Sequence, residues 1–451
     1  MISHVIGPLG TSLGTLRGRV LRLTRSESSR GAALSIGLKI GSSALNLLML
    51  TLLARSMSSY EFGVFALWFN ALAFLAVAAG LGQEKLILRS WNEYAAQEAW
   101  SLARGALRFG TRVSVAGSLV LAAAIVIAGS VAGSDPRLVG GAGLFLIVQT
   151  LFLYTAHVNR AMIGILRGDM HELTWRIVVI VAALAALGSG ADFQASHFFI
   201  VAAFGMGLGL VAQILAARRH MPVEVREAEA RTEPRLWAAR SLRMALGGNL
   251  EAASQYLDVL AVGLVLSPSV AGGYFVASRL ANVFSMITGG LNSYSTRQIP
   301  RQHHGDGRAA VASTLRRIAL ITTVPVALGL LGIVVAGAPL LGLFGQAFVT
   351  GYPVLVVLSL GTAFVALAGP APAVLLLTGH EGAYSLLLAA SLALRLVSLL
   401  VLAWYFGPIG AAVASAVSAT VGAVALNIAC RRRAGLDPAV TLFLRGRETP
   451  R

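Results

Sequence analysis

Long apolar segments recur from one end of this chain to the other, each of the length a helix needs to cross a bilayer. Spanning the hydrocarbon core takes about 20 residues, and a helix satisfies its own backbone polar groups on the way. Twelve such segments are predicted: residues 31–54, 62–80, 111–131, 139–157, 173–188 and 197–217 in the first half, then 242–266, 271–296, 318–337, 353–378, 383–405 and 409–430. They define an all-α polytopic membrane protein. Only 12% of the 451 residues are Asp, Glu, Lys or Arg, about half the share of a soluble protein, so soluble globular domains are excluded. The single cysteine, Cys430, rules out a disulfide framework or a cysteine-built zinc site.

The net charge of +17 would point to nucleic acid in a soluble chain, but here its placement points to topology. Thirty-one of the 36 Lys and Arg residues fall on one side of the alternating loops, and two, Arg55 and Arg137, on the other. Positive loops stay inside, so both termini are expected in the cytoplasm, and no nucleic-acid partner is expected. Three cations, Lys39, Arg279 and Arg395, fall within spans.

The halves resemble each other. Phe62-Gly63-Val64-Phe65 opens the second span as Gly272-Gly273-Tyr274-Phe275 opens the eighth, 210 residues later. Six spans per half give both halves one orientation, a parallel pseudo-repeat. The expected organisation is a basic N-terminal segment (1–30), a first six-helix lobe (31–217), a cytoplasmic linker (218–241), a second lobe (242–430) and a basic tail (431–451).

Chemistry-bearing motifs are scarce. There is no Gly-rich loop ending in Gly-Lys-Ser/Thr, no HExxH arrangement and no Asp-x-Asp pair, and no cofactor is expected. Gly205-Met206-Gly207-Leu208-Gly209 lies inside a span, where small residues serve close helix packing. Loops on the cation-poor side are short, the longest at about 338–352, which disfavours a membrane glycan polymerase or ligase. The protein is expected not to be an enzyme.

A cation at the bilayer centre costs about 2.5–3.5 kcal/mol on insertion scales, so it normally faces a partner or a watery cavity. Lys39 lies roughly 12 Å and Arg395 roughly 18 Å into their helices at 1.5 Å per residue. Asp258 and Arg279 are nearly equidistant from the turn Ser267-Pro268-Ser269, so a salt bridge across that hairpin is one reading. Glu251, Gln255 and Asp258 share one helix face. Lys39, Ser42, Ser43 and Asn46 form a second polar stripe, and Arg279, Asn282 and Ser285 or Met286 a third. Separate interhelical pairs and one shared cationic cavity both account for these stripes; the cavity suits an anionic substrate.

Ala54-Arg55-Ser56-Met57-Ser58-Ser59-Tyr60-Glu61-Phe62-Gly63-Val64-Phe65, Gly80-Leu81-Gly82, the hairpin from Asp258 through Gly273-Tyr274-Phe275 to Ala277-Ser278-Arg279-Leu280, and Leu375-Leu376-Leu377-Thr378-Gly379-His380 together resemble the Wzx-type polysaccharide-biosynthesis flippases of the multidrug/oligosaccharidyl-lipid/polysaccharide superfamily. Met57 stands where that family often has Leu, and His380 where it has Arg or Lys. The resemblance implies two lobes around a central cavity of alternating access. It implies a polyprenyl-pyrophosphate-linked oligosaccharide as cargo, for exopolysaccharide, capsule or O-antigen, with glycosyltransferases and a glycan polymerase as partners. Lys39, Asn46, Arg279, Asn282 and Arg395 would bind substrate. Glu251, Gln255 and Asp258 would form a structural pair or serve a coupling ion, H+ or Na+. The rival reading is a cation-coupled drug or small-solute antiporter of the same superfamily, with Glu251 and Asp258 as its exchanging acids.

Overall fold

The computed structural model describes residues 27–285, 307–435 and 437. Described residues are almost wholly helical: α1 (Glu27–Ser56), α2 (Ser59–Gly80), α3 (Gln83–Ala96), α4 (Trp100–Val131), α5 (Pro136–Ile163), α6 (Glu172–Ser189) and α7 (Ala195–His220), followed by α8 (Pro234–Val265), α9 (Pro268–Ala281), α10 (Gly307–Gly342), α11 (Tyr352–Leu367) and α12 (Glu381–Ala429). α12 is two antiparallel arms. Gly407, at φ 63° and ψ −149°, takes a conformation reserved for glycine and breaks the helix just before Pro408. Counting the two arms separately and setting aside the surface helix α3, the helices match the twelve expected spans. The eighth span continues beyond residue 285, outside the described residues.

Among the described residues, eight helical segments are long and apolar enough to cross a membrane by length and composition: α2, α4, α5, α6, α7, residues 322–342 of α10, α11 with the short helix Ala371–Leu377 that follows it, and α12. The others, α1, α8 and α9, carry the three polar stripes. α9 is only 14 residues long, and part of each stripe, Ser42, Ser43 and Asn46, Gln255, and Arg279 with Asn282, lines the interior described below.

Loop chemistry sets the helix ends. Ser58 accepts the Glu61 amide at 3.2 Å, Asp135 accepts the Arg137 amide at 3.0 Å before Pro136, and Ser267 accepts the Val270 amide at 3.4 Å before Pro268. Each is a polar N-cap holding an otherwise unbonded N–H. In the run Gly205 to Gly209 the two outer glycines pack closely, while a Cβ on Gly207 would meet nothing within 4 Å. A Cβ on Gly205 would lie 2.9 Å from the Trp175 backbone of α6, and one on Gly209 2.8 Å from the Phe152 ring of α5.

α1 to α7 pack among themselves, as do α8 to α12; the halves meet chiefly through α2, which lies against both α8 and α9, and through α3 on α8. The two matched motifs meet at this seam. Gly63 carries no side chain because a Cβ there would sit 2.0 Å from the Pro268 carbonyl oxygen, and a Cβ on Gly272 would sit 3.1 Å from the Gly63 Cα. Phe62 and Phe65 bring their rings 6.3 and 6.1 Å from Phe275, and Phe65 packs edge-on against Phe198 at 4.5 Å. The cation-poor end is thereby closed, further held by Phe62 on Phe348 and by Arg55 Nε donating to the Leu343 carbonyl at 2.7 Å.

The segment between the halves, expected as a cytoplasmic linker, is strapped to the first half. Arg104 Nη1 donates to the carbonyls of Arg226 and Ala228 at 2.6 Å, and the Arg231 amide donates to Ser101 O at 3.1 Å. Trp237, in the first turn of α8, is 0% exposed; its Nε1 donates to Tyr94 OH at 2.8 Å, and its ring lies 5.5 Å from that of Phe109. α8 therefore begins inside the core of the first half.

Candidate functional site

A cavity of about 700 Å³ lies between the halves. Ser42, Ser43 and Asn46 of α1, Phe69 of α2, and Trp175 and Arg176 of α6 line one side; Gln255 and Tyr256 of α8, and Phe275 and Arg279 of α9 with Asn282 beyond it, line the other. Its rim at the cation-rich end carries Arg160, Asp169 and Glu172. The seam of α2 and α9 closes the far end.

Four residues expected at the site, Asn46, Gln255, Arg279 and Asn282, do converge on this cavity. Lys39 belongs to α1, but its side chain is outside the described residues.

Arg395 does not join them. Its Nη2 pairs with Asp258 Oδ2 inside the second half, and its Nη1 donates to Ser254 O at 3.1 Å. The Asp258–Arg279 bridge, one of the two readings of that hairpin, is thus absent. Asp258 Oδ2 also accepts from Ser415 Oγ at 2.9 Å, and Ser415 bonds Tyr274 OH at 3.1 Å. The side chains are 9% exposed for Asp258 and 23% for Arg395, and Arg395 lines a separate pocket of about 200 Å³ between α8, α11 and the arms of α12. The three intramembrane cations therefore do not share one cavity. The physical reason is that Asp258, at the same depth, turns toward α12 and takes Arg395 with it. Glu251 is likewise elsewhere, in a 3.0 Å pair with Lys85 at the cation-rich end, where both are about half exposed.

Counting loop cations assigned Arg160 and Arg176 to topology alone, yet both line the cavity. Each has its own carboxylate: Arg160 Nε pairs with Asp169, and Arg176 Nη2 with Glu172 at 2.9 Å. Arg176 also sits 4.9 Å over the Trp175 ring, and Arg160 bonds His157 Nε2 at 3.1 Å.

Arg279 differs from both. Among the described residues it makes no ion pair. Its guanidinium lies 4.9 Å from the Phe275 ring centroid and 6.0 Å from that of Tyr256, and Nη2 donates a long bond of 3.4 Å to Asn70 Oδ1. Aromatic faces stabilise a cation by about 0.5–2 kcal/mol without neutralising it. The described lining therefore holds two closed ion pairs and one cation whose charge is uncompensated. Such a site attracts an anion, and Trp175, Tyr256 and Phe275 offer flat faces beside it.

No protein-family model matches the chain, and no curated protein matches it. Among solved structures it is similar to an inward-facing multidrug resistance transporter of the MATE family, in the MOP superfamily, with a TM-score of 0.69 and 14% identity over 90% of this chain and 98% of that one. It is similar to the lipid II flippase MurJ in an inward closed conformation, with a TM-score of 0.68 and 13% identity over 88% and 87%. A third is a MOP superfamily transporter from Pyrococcus furiosus, whose description reports a binding pocket of reverse polarity, at a TM-score of 0.61 and 14% identity over 92% and 97%. The shared property is the fold, that of multi-pass membrane transporters and flippases of this superfamily.

Proposed function

We propose that the chain is a non-enzymatic flippase for an anionic lipid-linked oligosaccharide, in the first place a polyprenyl-pyrophosphate-linked glycan. It acts in the bacterial inner membrane, with both termini cytoplasmic, and supplies exopolysaccharide, capsule or O-antigen synthesis. The observation that carries this reading is Arg279, a cation in the interlobe cavity with no carboxylate partner among the described residues. It takes the pyrophosphate or an acidic sugar, while the aromatic faces accept sugar rings and the lipid tail stays in the bilayer between the lobes. Lys39, in helical register with cavity residues Ser42, Ser43 and Asn46, serves the same anion. The cavity extends to the cation-rich end and the α2–α9 seam closes the other, which supports loading from the cytoplasm and release by alternating access. Glycosyltransferases and a glycan polymerase act before and after it.

An antiporter would need Glu251 or Asp258 free to exchange H+ or Na+. Each is engaged with a cation, which favours the flippase; a coupling ion would bind elsewhere.

Deleting the gene tests the reading. Lipid-linked repeat units should accumulate on the cytoplasmic leaflet, and restoring the chain with Arg279→Ala should leave them there. Normal glycan export with altered drug tolerance would overturn the flippase in favour of the antiporter.

A further inference from the structure

Asn70 sits in the middle of α2, is 0% exposed, and lies on the half opposite Arg279. Its Nδ2 donates to Ala66 O one turn back at 2.6 Å, which fixes the amide so that Oδ1 faces the guanidinium. A buried asparagine in an apolar span is costly unless its polar atoms are used, and here both are. The acceptor it offers is neutral. An aspartate at the same place would hold the guanidinium more tightly, but would cancel its charge and leave nothing for an anion.

We propose that Asn70 is the positioning residue of the anion site, aiming Arg279 of one half from the other half without neutralising it, so that the site is complete only while α2 and α9 are in contact. This rests on the anion-binding reading of Arg279. Opening the cation-poor end requires α2 to leave α9; that separation breaks the Asn70 bond and lets the guanidinium reorient. Substrate affinity then falls as the exit opens, which is the direction a one-way release needs.

The test is binding of geranylgeranyl pyrophosphate to the purified full chain, with geranylgeraniol as the uncharged control. Asn70→Ala should weaken pyrophosphate binding about tenfold, the range of one hydrogen bond to a charged group, and leave the alcohol unaffected. Asn70→Asp, which keeps the acceptor but sets a negative charge beside Arg279, should weaken it further. A merely structural asparagine predicts that Asn70→Ala, once folded, binds the pyrophosphate like the wild type, and that result overturns the proposal. Should Asn70→Ala fail to fold, Asn70→Leu, which fills the same space without an acceptor, carries the test with the same expected loss of about tenfold. If Arg279→Ala itself binds normally, the anion reading falls first; if Arg279→Ala abolishes binding and Asn70→Ala matches the wild type, only the positioning role falls.

Discussion

Arg395 and Asp258, 137 residues apart in the chain, close on each other inside the second half, where Ser415 donates to the same carboxylate oxygen. Breaking a buried ion pair from one side leaves the other charge stranded, a loss of about 3–5 kcal/mol, whereas removing both charges is far milder. Asp258→Ala and Arg395→Ala should each lower the thermal midpoint in detergent strongly, and Asp258→Leu with Arg395→Met should restore much of it. Additive losses in the double variant would show that the two do not act as a pair.

The Gly63–Pro268 contact leaves no room for a side chain. Gly63→Val should force α2 from α9 and shift the population toward an open cation-poor end. Spin labels at Arg137 and Thr350, exposed residues of opposite halves near that end, read the change in a Cys430→Ser background. The distance distribution should lengthen and broaden; an unchanged one would show that the seam does not control that end.

Trp237 fills the core of the first half. Trp237→Ala should lower stability by about 3–5 kcal/mol through the cavity it leaves. Trp237→Phe, which keeps most of the packing but strands Tyr94 OH, should lose about 1–3 kcal/mol. Thermal unfolding of the purified variants ranks them; equal effects would assign the role to the hydrogen bond rather than to packing.

Glu84, in the first turn of the surface helix α3, is 6% exposed, and desolvation holds its carboxyl above its ordinary value of 4.5. The folded protein keeps this proton to higher pH than the unfolded chain. Its contribution is therefore most favourable below the unfolded value and is lost as pH rises through the raised one. Glu84→Gln should outlast the wild type in thermal unfolding at pH 8 and match it at pH 4. Identical midpoints at both pH values would refute the desolvation account.

The spans were legible because a run of 20 apolar residues has few other uses, and the turns because Ser, Asp, Pro and Gly mark them. Depth was legible too, since each residue along a helix is a fixed rise. Arg395, roughly 18 Å into a core of about 30 Å, lies level with both Asp258 and Arg279. Azimuth was not legible. Which of two equally deep arginines faces Asp258 depends on how α8, α9 and α12 rotate against one another, and hairpin neighbours made the wrong pair look natural. Arg160 and Arg176 escaped for a different reason, because a loop count treats every cation near a helix end alike. Asn70 did leave a signal, as a lone amide in the apolar helix α2, but nothing in its neighbours along the chain pointed across to Arg279.

The burial of Trp237 has a mechanical consequence. α8 is a rod clamped at its foot by one body, through Trp237 and the Arg240–Glu93 pair, and keyed into the other body further up by Asp258. Under the alternating access proposed above, in which the two bodies turn, such a rod must flex between its fastenings or tear one loose. Gly247 and Gly248 lie in that interval, and at Gly247 a Cβ would meet nothing within 4 Å. The chain has placed a pair of glycines, residues that stiffen a helix least, between the two fastenings.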